Sequence, residues 1–107
     1  MHYELECAPD VIARLPALLH EAGCDAVVAR EYAVAREGIS WTLMSCSTHG
    51  ASAVVAVGTT QGNAQHVVNI SMSLRRIVCF WRWRADFLLV REIARAVKAA
   101  GAVEVAE

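Results

Sequence analysis

The chain has 107 residues, 56% of them hydrophobic, and a formal charge of −1. That length makes a single domain, residues 1–107, able to bury a core without disulfides or metal, and charge of both signs with no long like-charge run predicts neither nucleic-acid nor membrane-surface binding. Apolar runs such as AVVAV (Ala53–Val57) fall far short of the roughly 20 residues that span a bilayer, and MHYELE has neither a basic nor an apolar leader segment, so a cytoplasmic protein is expected. Much of the apolar content is alanine and valine, which points to burial between copies of the chain, a homodimer, rather than to a membrane.

HYELEC alternates Tyr3, Leu5 and Cys7 with His2, Glu4 and Glu6, the period of a half-buried strand. APDVIARLPALLHEAG then sets Val11, Leu15, Leu18 and Ala22 on one helical face, widened by Ile12 and Leu19, with Gly23 placed to end the helix. Pro9 suits a first helical position. Pro16 does not suit an interior one, where it costs about 3 kcal/mol, so a kink or a loose start before Leu15 is expected. Residues 25–37 read either way: their Ala, Glu and Arg content is helical, yet Val28, Tyr32 and Val34 share a face only at period two, and a strand is preferred. ISWTLMSC follows with Ile39, Trp41 and Leu43 on its inner face, alternating with Ser40, Thr42 and Met44. ASAVVAVGTT and QHVVNISMSL are two more strands, the last with Val68, Ile70, Met72 and Leu74 inward and Asn69, Ser71 and Ser73 outward.

CFWRWRADF concentrates two of the three tryptophans between Cys79 and Phe87. Phe80, Trp83, Phe87, Val90, Ala94, Val97 and Gly101 recur every three or four residues, so half the cluster belongs to the core of a second helix. Trp81 falls off that stripe. With Arg82 and Arg84 it forms either a partner-binding surface, since Trp and Arg dominate interface hot spots, or a second packing face against an oligomeric partner or a sheet edge. AVEVAE reads as a closing strand.

Cys7, Cys24, Cys46 and Cys79 contain no C-x-x-C, so they are expected to be reduced, buried and structural. Cys46-x-x-His49 lacks the further ligands of a metal site, and no metal or cofactor is expected. A Cys46/His49 nucleophile and base pair is the catalytic reading of the same residues, and a turn at STHG the simpler one. His20 reads as a solvated helix position and His66 as a strand-edge one.

The order strand, helix, four strands, helix, strand fits an α+β, ferredoxin-like two-layer sandwich (β-α-β-β-β-β-α-β) whose mostly antiparallel sheet carries both helices on one face. Ser40, Thr42, Asn69, Ser71 and Ser73 would then line an open face, a dimer surface or ligand wall. LECAPDVIARLPALLHEAGCDAVVA also resembles the opening of ACT-type regulatory domains, and LVREIARAVKAAGAVEVAE their closing helix and strand. The resemblance implies a small amino acid bound at a subunit interface by the loop after the first strand, here Ala8, Pro9 and Asp10, although Asp10 stands where that family has glycine.

The function expected from these features is a non-catalytic binding or regulatory module, acting as a homodimer on a small molecule or a protein partner. The alternative is a small dimeric ferredoxin-like enzyme, of oxygenase or isomerase type, with a pocket between sheet and helices and His49, His66 and Asp86 as its acid/base groups.

Overall fold

A computed structural model describes residues 2–24, 26–34, 39–48, 50–60, 66–72 and 83–105. In chain order the elements are β1 (His2–Cys7), α1 (Pro9–Ala13), α2 (Leu15–Glu21), β2 (Ala26–Val34), β3 (Ile39–Thr48), β4 (Ala51–Thr60), β5 (His66–Met72), α3 (Trp83–Ala99) and β6 (Val103–Glu104). The ambiguous segment is therefore a strand over Ala26–Val34. The strands form one sheet in the order β2-β3-β4-β5-β1-β6, and every neighbouring pair is antiparallel. β5 and β6 both flank β1, so the connection through α3 carries the chain over β1 from one of its edges to the other. The protein is α+β, an antiparallel sheet with helices packed on one side.

The first helical region divides at Arg14, whose backbone (φ −89°, ψ −3°) closes α1 and opens α2. The division solves the problem posed by Pro16. It falls in the first turn of α2, as Pro9 does in α1, where a missing N–H leaves no intrahelical bond unmade. The face survives the break: Val11, Leu15, Leu18 and Leu19 are all buried. Two glycines then stop helices by the same device. Gly23 (φ 103°) donates to His20 O at 3.0 Å while Cys24 donates to Leu19 O at 3.0 Å, and Gly101 (φ 120°) donates to Lys98 O at 3.0 Å while Ala102 donates to Val97 O at 3.2 Å. Each is a Schellman motif, whose left-handed residue favours glycine.

Register decides which face of each strand is core. Leu5 opposes Val68, Val68 opposes Val57, Val57 opposes Thr42, and Val55 lies between Ile70 and Met44. Paired residues share a face, so the helix side of the sheet carries Leu5, Cys7, Val68, Ile70, Ala53, Val55, Val57, Met44 and Cys46, all buried. This corrects the inner face expected for ISWTLMSC. Met44 and Cys46 point to the core, whereas Trp41 and Leu43 share the opposite face with Ser45, and Thr42 lies on the helix side. Both faces of that strand carry apolar residues, and its pairing with Ala53 and Val55 settles the phase. β5 has the expected phase, with Val68 and Ile70 inward and Asn69 and Ser71 outward, while Ser73 and Leu74 lie outside the described residues.

α3 lies over β4, β5 and β1, and α2 packs beside it. Its buried face is Asp86, Leu89, Val90, Ile93, Ala94 and Val97. Phe87, expected in the core, is only half-buried, because the helix is rotated toward Leu89 and Ile93. Burying a side chain such as Ile93 contributes about 1.5–3 kcal/mol, and the near-complete burial of Ile93, Val90 and Val97 anchors α3 to the sheet. Trp83 opens the helix, and Cys79 and Phe80 lie outside the described residues. The closing strand is short among the described residues: Val103 and Glu104 pair with β1, extended by the Val105 N–H to Glu4 O at 2.9 Å, and Val103 is exposed.

Candidate functional site

The residues singled out by the ACT resemblance sit where β1 passes into α1. Ala8 caps α1 with an extended backbone and its carbonyl accepts the Val11 N–H at 3.1 Å, leaving Pro9 and Asp10 exposed. Beside them, Cys7 is opposite His66 across the β1–β5 pair, on the helix side of the sheet. The structure thus gathers Cys7, Asp10 and His66 at one end of the sheet. Burial pushes the Cys7 thiol up, and the Asp10 carboxylate pushes it further. Both effects oppose thiolate formation, the reverse of what an activated nucleophile needs. The His66 Nδ1 is buried without a hydrogen-bond partner among the described residues.

Cys46 is held in the same manner. Its S–H donates to the Met44 carbonyl at 3.7 Å, and burial, with the charge and hydrogen bond of the neighbouring Cys24 adding to it, pushes its pKa up to about 12. Cys7, Cys24 and Cys46 are all free and buried, as expected of structural thiols. Cys79 and His49 lie outside the described residues, so the Cys46/His49 pair does too. Asp86 is fully buried in the first turn of α3, and its Oδ1 accepts the Ser52 backbone N–H at 2.8 Å. That carboxylate holds a helix end to a strand. Trp81 and Arg82 lie outside the described residues, and Arg84 is exposed on the first turn of α3.

Two surfaces stand out instead. The first is the face of the sheet opposite the helices, where register brings Trp41 and Leu43 of β3, Val54 and Ala56 of β4 and Val67 of β5 together. All five are half-buried. The Trp41 indole covers Gly58 directly across the β3–β4 pair, so closely that a Cβ there would lie 2.8 Å from the ring. Asn69 stands on this face next to Ala56, its Oδ1 buried and without a partner among the described residues. Trp41 and Leu43 stand here in place of the expected Ser40 and Thr42, which the register puts on the helix side.

The second surface lies between β1 and α3. Tyr3, Ala94 and the cations Arg91, Arg95 and Lys98 line a cleft of about 220 Å³. Lys98 Nζ sits 5.2 Å from the centroid of the Tyr3 ring and 2.9 Å from Glu104 Oε2. Arg95 approaches Glu92 at 3.4 Å. The spacing of these cations in VREIARAVK was legible, but nothing local announced that Tyr3 would face them.

Compared with protein-family models, with curated proteins and with solved structures, the chain matches none.

Proposed function

We propose that the protein is a non-catalytic binding module that works as a homodimer, joined through the open face of its sheet. The observation that carries this reading is the apolar cluster of Trp41, Leu43, Val54, Ala56 and Val67 on the side away from the core. A second copy of the chain is the occupant that suits it. Strands β3, β4, β5 and β1, spaced about 4.8 Å apart and 20–30 Å long, offer a face on the order of 500 Å² before side-chain relief, which approaches the roughly 800 Å² each partner contributes to a standard interface. A two-fold axis through that face would set the same cluster against itself, as an isologous contact requires. The Asn69 amide would find its counterpart in the partner.

Three of the groups available for catalysis, Cys7, Cys46 and Asp86, are engaged in the fold. Both Cys7 and Cys46 are kept as thiols by burial, and Asp86 binds the backbone of Ser52. We read the β1–β5–β6 portion with its helices as a ferredoxin-like core, extended on the β5 side by β4, β3 and β2. Regulation by a ligand in the cytoplasm, in the manner of an ACT-type domain at Ala8, Pro9 and Asp10, belongs to the same proposal.

Sedimentation velocity tests it. A dimer at micromolar concentration is expected, and Val54→Glu, which places a charge at the centre of the face, should give a monomer with unchanged circular dichroism. A wild-type monomer at every concentration, or a Val54→Glu dimer as tight as wild type, would overturn the reading.

A further inference from the structure

We infer that the cleft between β1 and α3 is a binding site for a small phosphomonoester, held by Arg91, Arg95 and Lys98 against the ring of Tyr3. One stripe of α3 generates it. Arg84, Leu88, Arg91, Arg95 and Lys98 follow one another at alternating spacings of four and three residues, so they share a helical face. The lower part of that stripe passes beside β1, where Tyr3 projects from the helix side of the sheet. The result is a concave lining of about 220 Å³ with three cations and one aromatic ring.

The charges are arranged for an anion. Lys98 pairs with Glu104 at 2.9 Å, an exposed contact, and lies 5.2 Å from the centroid of the Tyr3 ring, so its ammonium stands beside that ring in the lining of the cleft. Arg95 has only the exposed contact with Glu92 at 3.4 Å, and an exposed pair of this kind contributes little and is readily exchanged. Arg91 makes no ion pair among the described residues. Two guanidinium groups one helical turn apart, each a planar fork of donors, match the oxygens of phosphate better than ammonium groups would. Even with Glu92 and Glu104 counted, the cleft keeps an excess of positive charge in a chain whose formal charge is −1.

Size sets the class of ligand. Pockets for drug-sized molecules run to about 300–1,000 Å³, so a volume of about 220 Å³ suits a phosphate carried on a small organic group. The Tyr3 ring offers that group an apolar wall. A long polyanion is disfavoured by Glu92 and Glu104, the carboxylates paired with Arg95 and Lys98. The same phosphate could be presented free in solution or on a lipid headgroup, and the two sources are separable by experiment.

The test is titration of the full chain, followed by NMR or calorimetry, with glycerol 3-phosphate in one arm and with vesicles containing phosphatidic acid in the other. Saturable binding is expected in at least one arm, weakened by about tenfold or more in Arg91→Gln and in Arg95→Gln, the loss of one charge-assisted contact. Both side chains are exposed, so the variants should keep the wild-type melting temperature. Tyr3→Leu should weaken the organic phosphate more than inorganic phosphate, because only the former uses the ring. Saturation by vesicles alone assigns the phosphate to a lipid, and saturation by glycerol 3-phosphate alone assigns it to a soluble ligand. No binding at millimolar concentration in either arm, or binding unchanged in both arginine variants, overturns the inference. Neither outcome depends on whether the sheet face dimerises.

Discussion

The Asp86 carboxylate accepts the backbone N–H of Ser52 at 2.8 Å, one residue beyond the last pair that β4 makes with β5, Ala53 with Met72. The contact joins the start of α3 to the start of β4 across a sequence separation of 34 residues. A carboxylate in the first helical turn is also favoured by the helix dipole.

Asp86→Ala should therefore destabilise the fold by about 1–3 kcal/mol, the cost of leaving a buried donor unsatisfied. Asp86→Asn keeps an acceptor of the same shape and should lose less. Urea unfolding of the two variants measures both. If Asp86→Ala were as stable as wild type, the contact with Ser52 would be dispensable to the fold.

The rotation of α3 gives a second prediction. Ile93 is 1% exposed, so Ile93→Ala should cost about 2–5 kcal/mol. Phe87 is only half-buried, and Phe87→Ala should cost less than the roughly 3–5 kcal/mol of a fully buried phenylalanine. The order of the two melting temperatures checks the helix orientation directly. A larger loss for Phe87→Ala would place it, and not Ile93, at the centre of the contact.

These two residues also show what the sequence conveyed. The period of three and four through Val90, Ala94 and Val97 located the helix, because any amphipathic helix shows that period whatever it packs against. It did not fix the rotation, since Phe87 and Ile93 are both large and apolar, and the choice depends on the distant strands that α3 meets. The same limit applied to β3. Trp41 and Met44 lie on opposite faces of one apolar strand, and only its register against β4 tells them apart. Pro16 was legible as a defect, and the structure places the break at Arg14. The cationic cleft was half legible: Arg91, Arg95 and Lys98 share a helix face by spacing, whereas Tyr3 joins them through tertiary packing of β1 against α3.

Gly58→Ala should disturb Trp41 more than it disturbs the strand. The added Cβ would meet the far edge of the indole at 2.8 and 2.9 Å, so the ring must swing away. Such overpacking typically costs about 1–3 kcal/mol. Because the ring lies on the sheet face proposed to join two copies, the variant should also weaken the proposed self-association. Near-ultraviolet circular dichroism and sedimentation, run together, read the two effects. An unchanged aromatic spectrum would mean that Trp41 does not rest on Gly58.

Alkaline pH should unfold the protein through its buried thiols. Cys46 is raised in the folded chain from an ordinary 9.0 to about 12, chiefly by burial, and Cys7 is raised as well. Above about pH 9 the unfolded chain releases the Cys46 proton while the folded chain retains it. The folded state then binds more protons than the unfolded one, and stability must fall as pH rises. The loss should begin near pH 9 and continue toward pH 12, where folded Cys46 also ionises. Other alkaline groups add slopes of their own, so the informative quantity is a difference between variants. Cys46→Ser replaces the thiol with a hydroxyl that does not titrate in this range. It should be less stable than wild type at neutral pH, because a buried hydroxyl needs a stronger partner than Met44 O offers the thiol, yet its stability should decline less steeply above pH 9. Unfolding free energies measured from pH 7 to pH 11 for both proteins make the comparison. Parallel curves would show that Cys46 ionises as readily in the folded chain as in the unfolded one, and that its burial has no part in the alkaline limit.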